Sequence, residues 1–131
     1  MRLAHEIGVK IGVGTDYPGT PKTWKIGDRT MFELQELVAC GLMPMEAILA
    51  ATRTTAEAYG KLGEFGTLET GKKADLLVVT GNPLEDIGVL YDGDNINLVM
   101  KDGIVESVDE AHRQYYRVRE EQPADRPRAG A

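Results

Sequence analysis

Apolar and polar positions alternate along this chain with two different periods, and the switch between them divides it. The run Val9-Lys10-Ile11-Gly12-Val13 is nearly continuous in apolar character and predicts a buried strand over 9–14. Residues 3–8 read as the end of a helix, with Gly8 as a left-handed cap. Two prolines and two glycines in 17–28 forbid a regular element there and predict a loop. Helical spacing then returns. Met31, Leu34, Leu37 and Val38 share one face, Thr30-Met31-Phe32-Glu33 has the form of a capping box, and Gly41 closes the helix. Pro44 fits the first turn of a second helix, expected to run to about Tyr59 and to end at Gly60. Its small residues Ala47, Ala50, Ala51 and Ala58 suit close packing.

From Gly63 the pattern becomes strand-like. Leu76-Leu77-Val78-Val79 reads as a buried strand, and residues 83–87 as one short helical turn. Residues 96–100 and 104–108 read as a hairpin, with Lys101-Asp102-Gly103 as its turn, because Asp-Gly accommodates two positive φ angles. The tail from Arg117 is charged and Pro-rich, and is expected to be disordered.

Gly14-Thr15-Asp16 closes the first apolar run. On local sequence alone the plainer reading is an aspartate that caps a turn. At the C-terminal end of a barrel strand, the same carboxylate could hold a divalent metal or take a proton from water. Further along come Glu33-Leu34, Gly41-Leu42-Met43-Pro44-Met45-Glu46-Ala47, Ala51-Thr52, and Gly66-Thr67-Leu68-Glu69-Thr70-Gly71-Lys72-Lys73-Ala74-Asp75-Leu76-Leu77-Val78-Val79. These blocks, in this order over roughly residues 1–108, resemble the C-terminal end of the metal-dependent amidohydrolase superfamily, in its imidazolonepropionase and prolidase-like branch.

The resemblance implies an α/β fold: the last βα unit of a (β/α)8 metallo-hydrolase barrel, followed by the C-terminal part of a small β-sandwich. Residues 1–62 would belong to the barrel and 63–110 to the sandwich, with strands near 67–70, 75–79, 96–100 and 104–108. Residues 111–131 would form the charged tail. By the same resemblance Asp16 is the aspartate after the eighth barrel strand, both catalytic residue and metal ligand. The metal implied is divalent, zinc by preference. Tyr17 and Trp24 are candidates to line the substrate pocket, although an aromatic on a rim loop can equally cover apolar surface. No residue is expected to bind an organic cofactor.

A catalytic zinc takes three protein ligands and keeps one position open. The chain holds two histidines, His5 and His112, and neither lies in a ligand motif. Both are read as surface residues, so the isolated chain is expected to bind metal poorly. Glu33 is given a capping role. Asp75 is expected to tie down a turn through backbone amides, and Cys40 is read as a packed thiol. Met43 stands where the family places a threonine cap, forgoing a cap worth about 1 kcal/mol.

Composition narrows the rest. The 131 residues are about half of the roughly 250 that a complete barrel needs. The net charge of −6, without a basic block, argues against a nucleic-acid partner. Apolar runs are too short to span a bilayer, and no charged-then-apolar leader opens the chain, so neither membrane insertion nor secretion is expected. The single cysteine fits a reducing, cytoplasmic compartment. The opening residues read as the middle of a helix, so a longer polypeptide is expected. Its activity would be hydrolysis of a C–N bond in an amide, cyclic amide or dipeptide through metal-activated water. The missing barrel strands would come from the same or another chain, the substrate would be a small molecule, and the full-length protein would be a homo-oligomer. The alternative is a non-catalytic truncated subunit or interaction module.

Overall fold

The computed structural model describes residues 1–16 and 28–106. The elements run α1 (Arg2–Glu6), α2 (Asp28–Ala39), α3 (Pro44–Leu49), a π turn (Ala50–Thr54), α4 (Thr55–Ala58), β1 (Leu76–Val79), two short 3-10 turns (Ile87–Leu90 and Gly93–Asn95), β2 (Ile96–Lys101) and β3 (Ile104–Glu106).

Glycine-terminated caps set the helix ends. After α2, Gly41 takes φ +104°, a conformation that costs a side-chain-bearing residue strain. Its N–H donates to Val38 O at 2.9 Å, and Leu42 N–H donates to Leu37 O at 3.2 Å. That pair of bonds satisfies two of the carbonyls a helix end leaves open, and the accompanying apolar contact is made by Leu37 and Leu42, both buried. Gly8 and Gly60 end α1 and α4 with the same two-bond pattern. Pro44 opens α3, where its missing N–H costs nothing. From Pro44 to Tyr59 the backbone is helical throughout, as expected, but five residues of it widen into the π turn.

The core lies where α2 meets α3. Leu34 and Leu37 from α2, Leu42 from the connection, Ala47 and Ala50 from the second rod, and Ile87 from the first 3-10 turn form it. Ile11 and Val13 pack against its edge. Ile87 arrives through a turn in which Asp86 Oδ1 accepts the Gly88 N–H at 2.8 Å. The small face departs from expectation at one position: Ala56 is buried and Ala58 exposed. The loop after α4 folds back over Ala56, and a Cβ on Gly66 would lie 2.5 Å from the Ala56 Cβ.

The sheet is antiparallel, in the order β1-β2-β3. β1 pairs with β2 from Leu76↔Met100 to Val79↔Ile96, with a bulge at Val78/Val79. β2 pairs with β3 from Val99↔Glu106 to Lys101↔Ile104. Asp102 and Gly103 both have positive φ, +51° and +79°, as a two-residue hairpin turn of matching twist requires.

Four expectations are corrected. Residues 9–14 form no strand. A parallel barrel strand needs ladder partners on both sides, and among the described residues none pairs with it; the segment is instead extended, with Ile11 and Val13 half-buried against the helices and Val9 exposed. β1 is a strand but is not buried, since Leu77 and Val78 are 41% and 47% exposed at the edge of a three-stranded sheet. Residues 67–70 are not a strand either. The Lys72 ammonium reaches both Thr67 Oγ1 and Glu69 Oε1, Thr67 Oγ1 donates to Glu69 Oε1 at 2.6 Å, and this local network folds the segment into a turn. Finally, α2 starts at Asp28, two residues before the expected cap. Thr30 therefore lies inside the helix, and the Thr30–Glu33 capping box is not formed. Residues 107–108 of the expected final strand and the charged tail lie outside the described residues.

Candidate functional site

Asp16 stands at the end of the extended segment 9–16, exposed, with φ +38°. Aspartate is among the few residues that tolerate the left-handed region, because its short polar side chain can bond locally. Such a conformation in a side-chain-bearing residue costs of order 1 kcal/mol and persists where surrounding structure enforces it. Two residues anchor the segment that leads to Asp16. Val13 N–H donates to Thr55 Oγ1 at 3.0 Å and to Ala50 O at 3.3 Å. The Lys10 ammonium pairs with the Glu57 carboxylate on α4. Hydrogen bonding to Lys10, with the Lys10 charge behind it, holds the Glu57 carboxyl below the usual carboxylate range.

The other candidates are placed as follows. Tyr17 and Trp24, the expected pocket residues, lie outside the described residues, as does His112. His5 sits half-buried on α1, with Nε2 3.3 Å from Glu46 Oε2. Glu46 is committed to the fold as well, since the same oxygen accepts the Met43 N–H at 2.7 Å. Cys40 is a free, half-buried thiol at the end of α2. Glu33, freed from the capping role, has a buried Oε2 with no hydrogen-bond partner among the described residues. Asp75 does what the sequence suggested: its Oδ1 accepts the Asp102 N–H.

The donor set tests the metal reading. A carboxylate is a suitable oxygen ligand for a divalent ion, and the exposed Asp16 can fill one such place. Among the described residues, no group of three or more His, Cys, Asp and Glu side chains comes together. The set here is thus one ligand of at least three. Among the same residues, no helix is long and apolar enough to cross a membrane.

The amidohydrolase family model matches residues 1–105. An ochratoxinase from Aspergillus niger is 39% identical over 103 residues, covering 76% of this chain and 20% of that protein. An imidazolonepropionase from Geobacillus kaustophilus is 34% identical over 104 residues, covering 76% of this chain and 23% of that protein. Among solved structures, a Xaa-Pro dipeptidase aligns with a TM-score of 0.70 at 40% identity, over 81% of this chain and 24% of that one. The chain spans about a fifth to a quarter of the length of the proteins it matches.

Proposed function

The chain belongs to the amidohydrolase family, and from that premise we propose that it is the C-terminal portion of a metal-dependent enzyme that hydrolyses C–N bonds. The substrate class is an amide, a cyclic amide or a dipeptide. The names of the matched proteins support hydrolysis, and those of the dipeptidase and the imidazolonepropionase support this substrate range. In this reading residues 1–62 are the end of the barrel. Residues 63–110 are the C-terminal share of the sandwich. The apolar side of the sheet supports that share: Leu76, Val78, Leu98, Met100 and Val105 alternate onto one face by register, and Val78 and Val105 are exposed.

The observation that carries the proposal is the presentation of Asp16, a carboxylate held at an exposed left-handed bend at the end of an anchored segment. A divalent metal, zinc by preference, would when bound supply the Lewis acidity that makes water nucleophilic near neutral pH. Asp16 would be one of its ligands and the proton acceptor. The carboxylate takes the proton as the water oxygen adds to the carbonyl carbon. It then returns the proton to the leaving nitrogen as the C–N bond breaks. The remaining ligands lie outside this sequence, so the chain alone would not turn over substrate. The complete enzyme would be a cytoplasmic homo-oligomer acting on small molecules. Tyr17 and Trp24 would line its pocket.

The test uses the polypeptide as isolated from its source cells. Its intact mass is measured first, and Asp16→Asn is then assayed on amides, lactams and dipeptides. A mass several-fold above 14.3 kDa and loss of hydrolysis in the variant are expected. A native mass near 14.3 kDa with no partner chain, or a fully active Asp16→Asn, overturns the proposal.

A further inference from the structure

We propose that Thr55 is a positioning residue for Asp16: its hydroxyl, carried on the first residue after the π turn, fixes the backbone at Val13 and with it the bend that presents the carboxylate. The inference rests on the reading of Asp16 given above.

A π turn closes each hydrogen-bonded ring one residue late, and such turns inside helices concentrate at functional sites. Here the turn spans Ala50–Thr54, and Thr55 follows it directly. Thr55 Oγ1 lies 2.7 Å from Ala50 O, five residues back. In an unbroken α-helix a threonine bonds the carbonyl three or four residues back, as Thr52 does to Ile48 O at 2.7 Å. The extra residue therefore redirects the Thr55 hydroxyl toward a different carbonyl.

A hydroxyl has one proton and two lone pairs. The proton belongs on Ala50 O, the shorter of its two acceptor contacts, the other being Val13 O at 3.3 Å. A lone pair then accepts the Val13 N–H at 3.0 Å, a bond that Val13 shares with Ala50 O. The hydroxyl is part-buried, so losing it leaves the Val13 amide only its longer bond to Ala50 O, at 3.3 Å.

The approach is close enough to constrain the next residue. A Cβ on Gly12 would lie 3.3 Å from Thr55 Oγ1. A side chain at 12 would crowd the hydroxyl, and the segment or the hydroxyl would have to give by a few tenths of an ångström. Among the described residues, Val13 makes the last of these backbone bonds before Asp16, three residues on. At about 3.3 Å per residue Asp16 lies within roughly 10 Å of this anchor, so the Val13 bond sets where the short segment carrying the carboxylate begins.

The experiment compares Thr55→Val and Thr55→Ser in the complete metal-loaded enzyme, with Asp16→Asn as control. Val keeps the shape and removes the hydroxyl, while Ser keeps the hydroxyl. Misplacing a catalytic group by about 1 Å costs about 100-fold, so Thr55→Val is expected to lower kcat by about 10- to 100-fold with KM within about twofold. It should also speed hydrogen exchange at the Val13 amide, a readout that needs neither metal nor turnover. Thr55→Ser is expected to restore both. Should Thr55→Val fail to fold, Gly12→Ala crowds the same hydroxyl and is expected to lower kcat with the same KM pattern. Unchanged kcat and Val13 exchange in Thr55→Val, or equal impairment in Val and Ser, overturns the inference while Asp16→Asn remains inactive. An active Asp16→Asn instead overturns the reading of Asp16 itself.

Discussion

Asp75 Oδ1 accepts the backbone N–H of Asp102 at 2.6 Å, joining the residue before β1 to the first residue of the β2–β3 turn. Gly103 N–H adds a bond to Ala74 O at 3.1 Å, so the turn is fastened from two sides. A carboxylate acceptor strengthens such a bond relative to a neutral one. Asp75→Ala is expected to cost about 1–2 kcal/mol in urea unfolding, and Asp75→Asn less, because its amide oxygen can still accept. Asp102→Ala keeps the donor, so its expected cost is the strain of an alanine at φ +51°. Its own carboxylate meets Lys73 at 3.5 Å in an exposed pair, which contributes little.

Met43 occupies the N-cap of α3 with φ −69° and ψ 150°, the extended geometry a capping side chain needs. The Glu46 arm of a capping box is in place, but a methionine thioether is at best a weak acceptor for the amide that a threonine hydroxyl would satisfy. Met43 is 66% exposed, so little burial is lost by replacing it. Met43→Thr is expected to raise stability by about 1 kcal/mol, measured as a higher urea midpoint with an unchanged slope. An unchanged midpoint would mean that the cap is already satisfied.

Gly66 has φ +99° and sits against the helix rod: an added Cβ would lie 2.5 Å from the Ala56 Cβ and 3.1 Å from Thr52 O. Both the conformation and the space exclude a side chain. Gly66→Ala is expected to destabilise by about 2–3 kcal/mol. Combined with Ala56→Gly, the two losses should sum to less than their separate values, because one clash is then removed. Strict additivity in that double-mutant cycle would refute the contact.

The features legible in the sequence are those decided within a few residues. Gly8, Gly41 and Gly60 end helices where the hydrophobic periodicity stops, Pro44 starts one, and Asp102-Gly103 turns a hairpin. Each depends on local dihedrals and local donors. What escaped depends on distant partners. The apolar run 9–14 suits a ladder-bonded strand or an extended segment packed on one face, and only the neighbours decide. Ile87 enters the core through a turn whose apolar content gave no periodic signal. The π turn at Ala50–Thr54 carries no composition cue, and nothing in the sequence sets Thr55 apart from other helical threonines. In the candidate site, Asp16 was legible because the residues around it form a short, ordered pattern. What anchors its segment was not, since Thr55 and Glu57 lie 42 and 47 residues from the Val13 and Lys10 that they hold.

Lys10 and Glu57 pair across the same junction, and their titration gives the last prediction. Hydrogen bonding to Lys10 lowers the Glu57 carboxyl from its ordinary 4.5, with the Lys10 charge acting the same way; desolvation opposes them, and the Arg53 charge adds the smallest lowering contribution. A carboxyl that is more acidic when folded binds fewer protons in the folded state than in the unfolded one. Its stabilisation is therefore fully present above the unfolded value and is lost as pH falls through the folded value. Lys10→Met removes the main cause, so the Glu57 carboxyl should titrate closer to its ordinary value, as followed by NMR of its side-chain carbon. The stability difference between the parent and Lys10→Met should be largest near about pH 7 and should shrink toward about pH 2–3. Both partners are open to solvent, so added salt at neutral pH should shrink the difference as well. A difference that persists undiminished at low pH and high salt would mean that Lys10 acts through the packing of its stem on the helix rod and not through its charge.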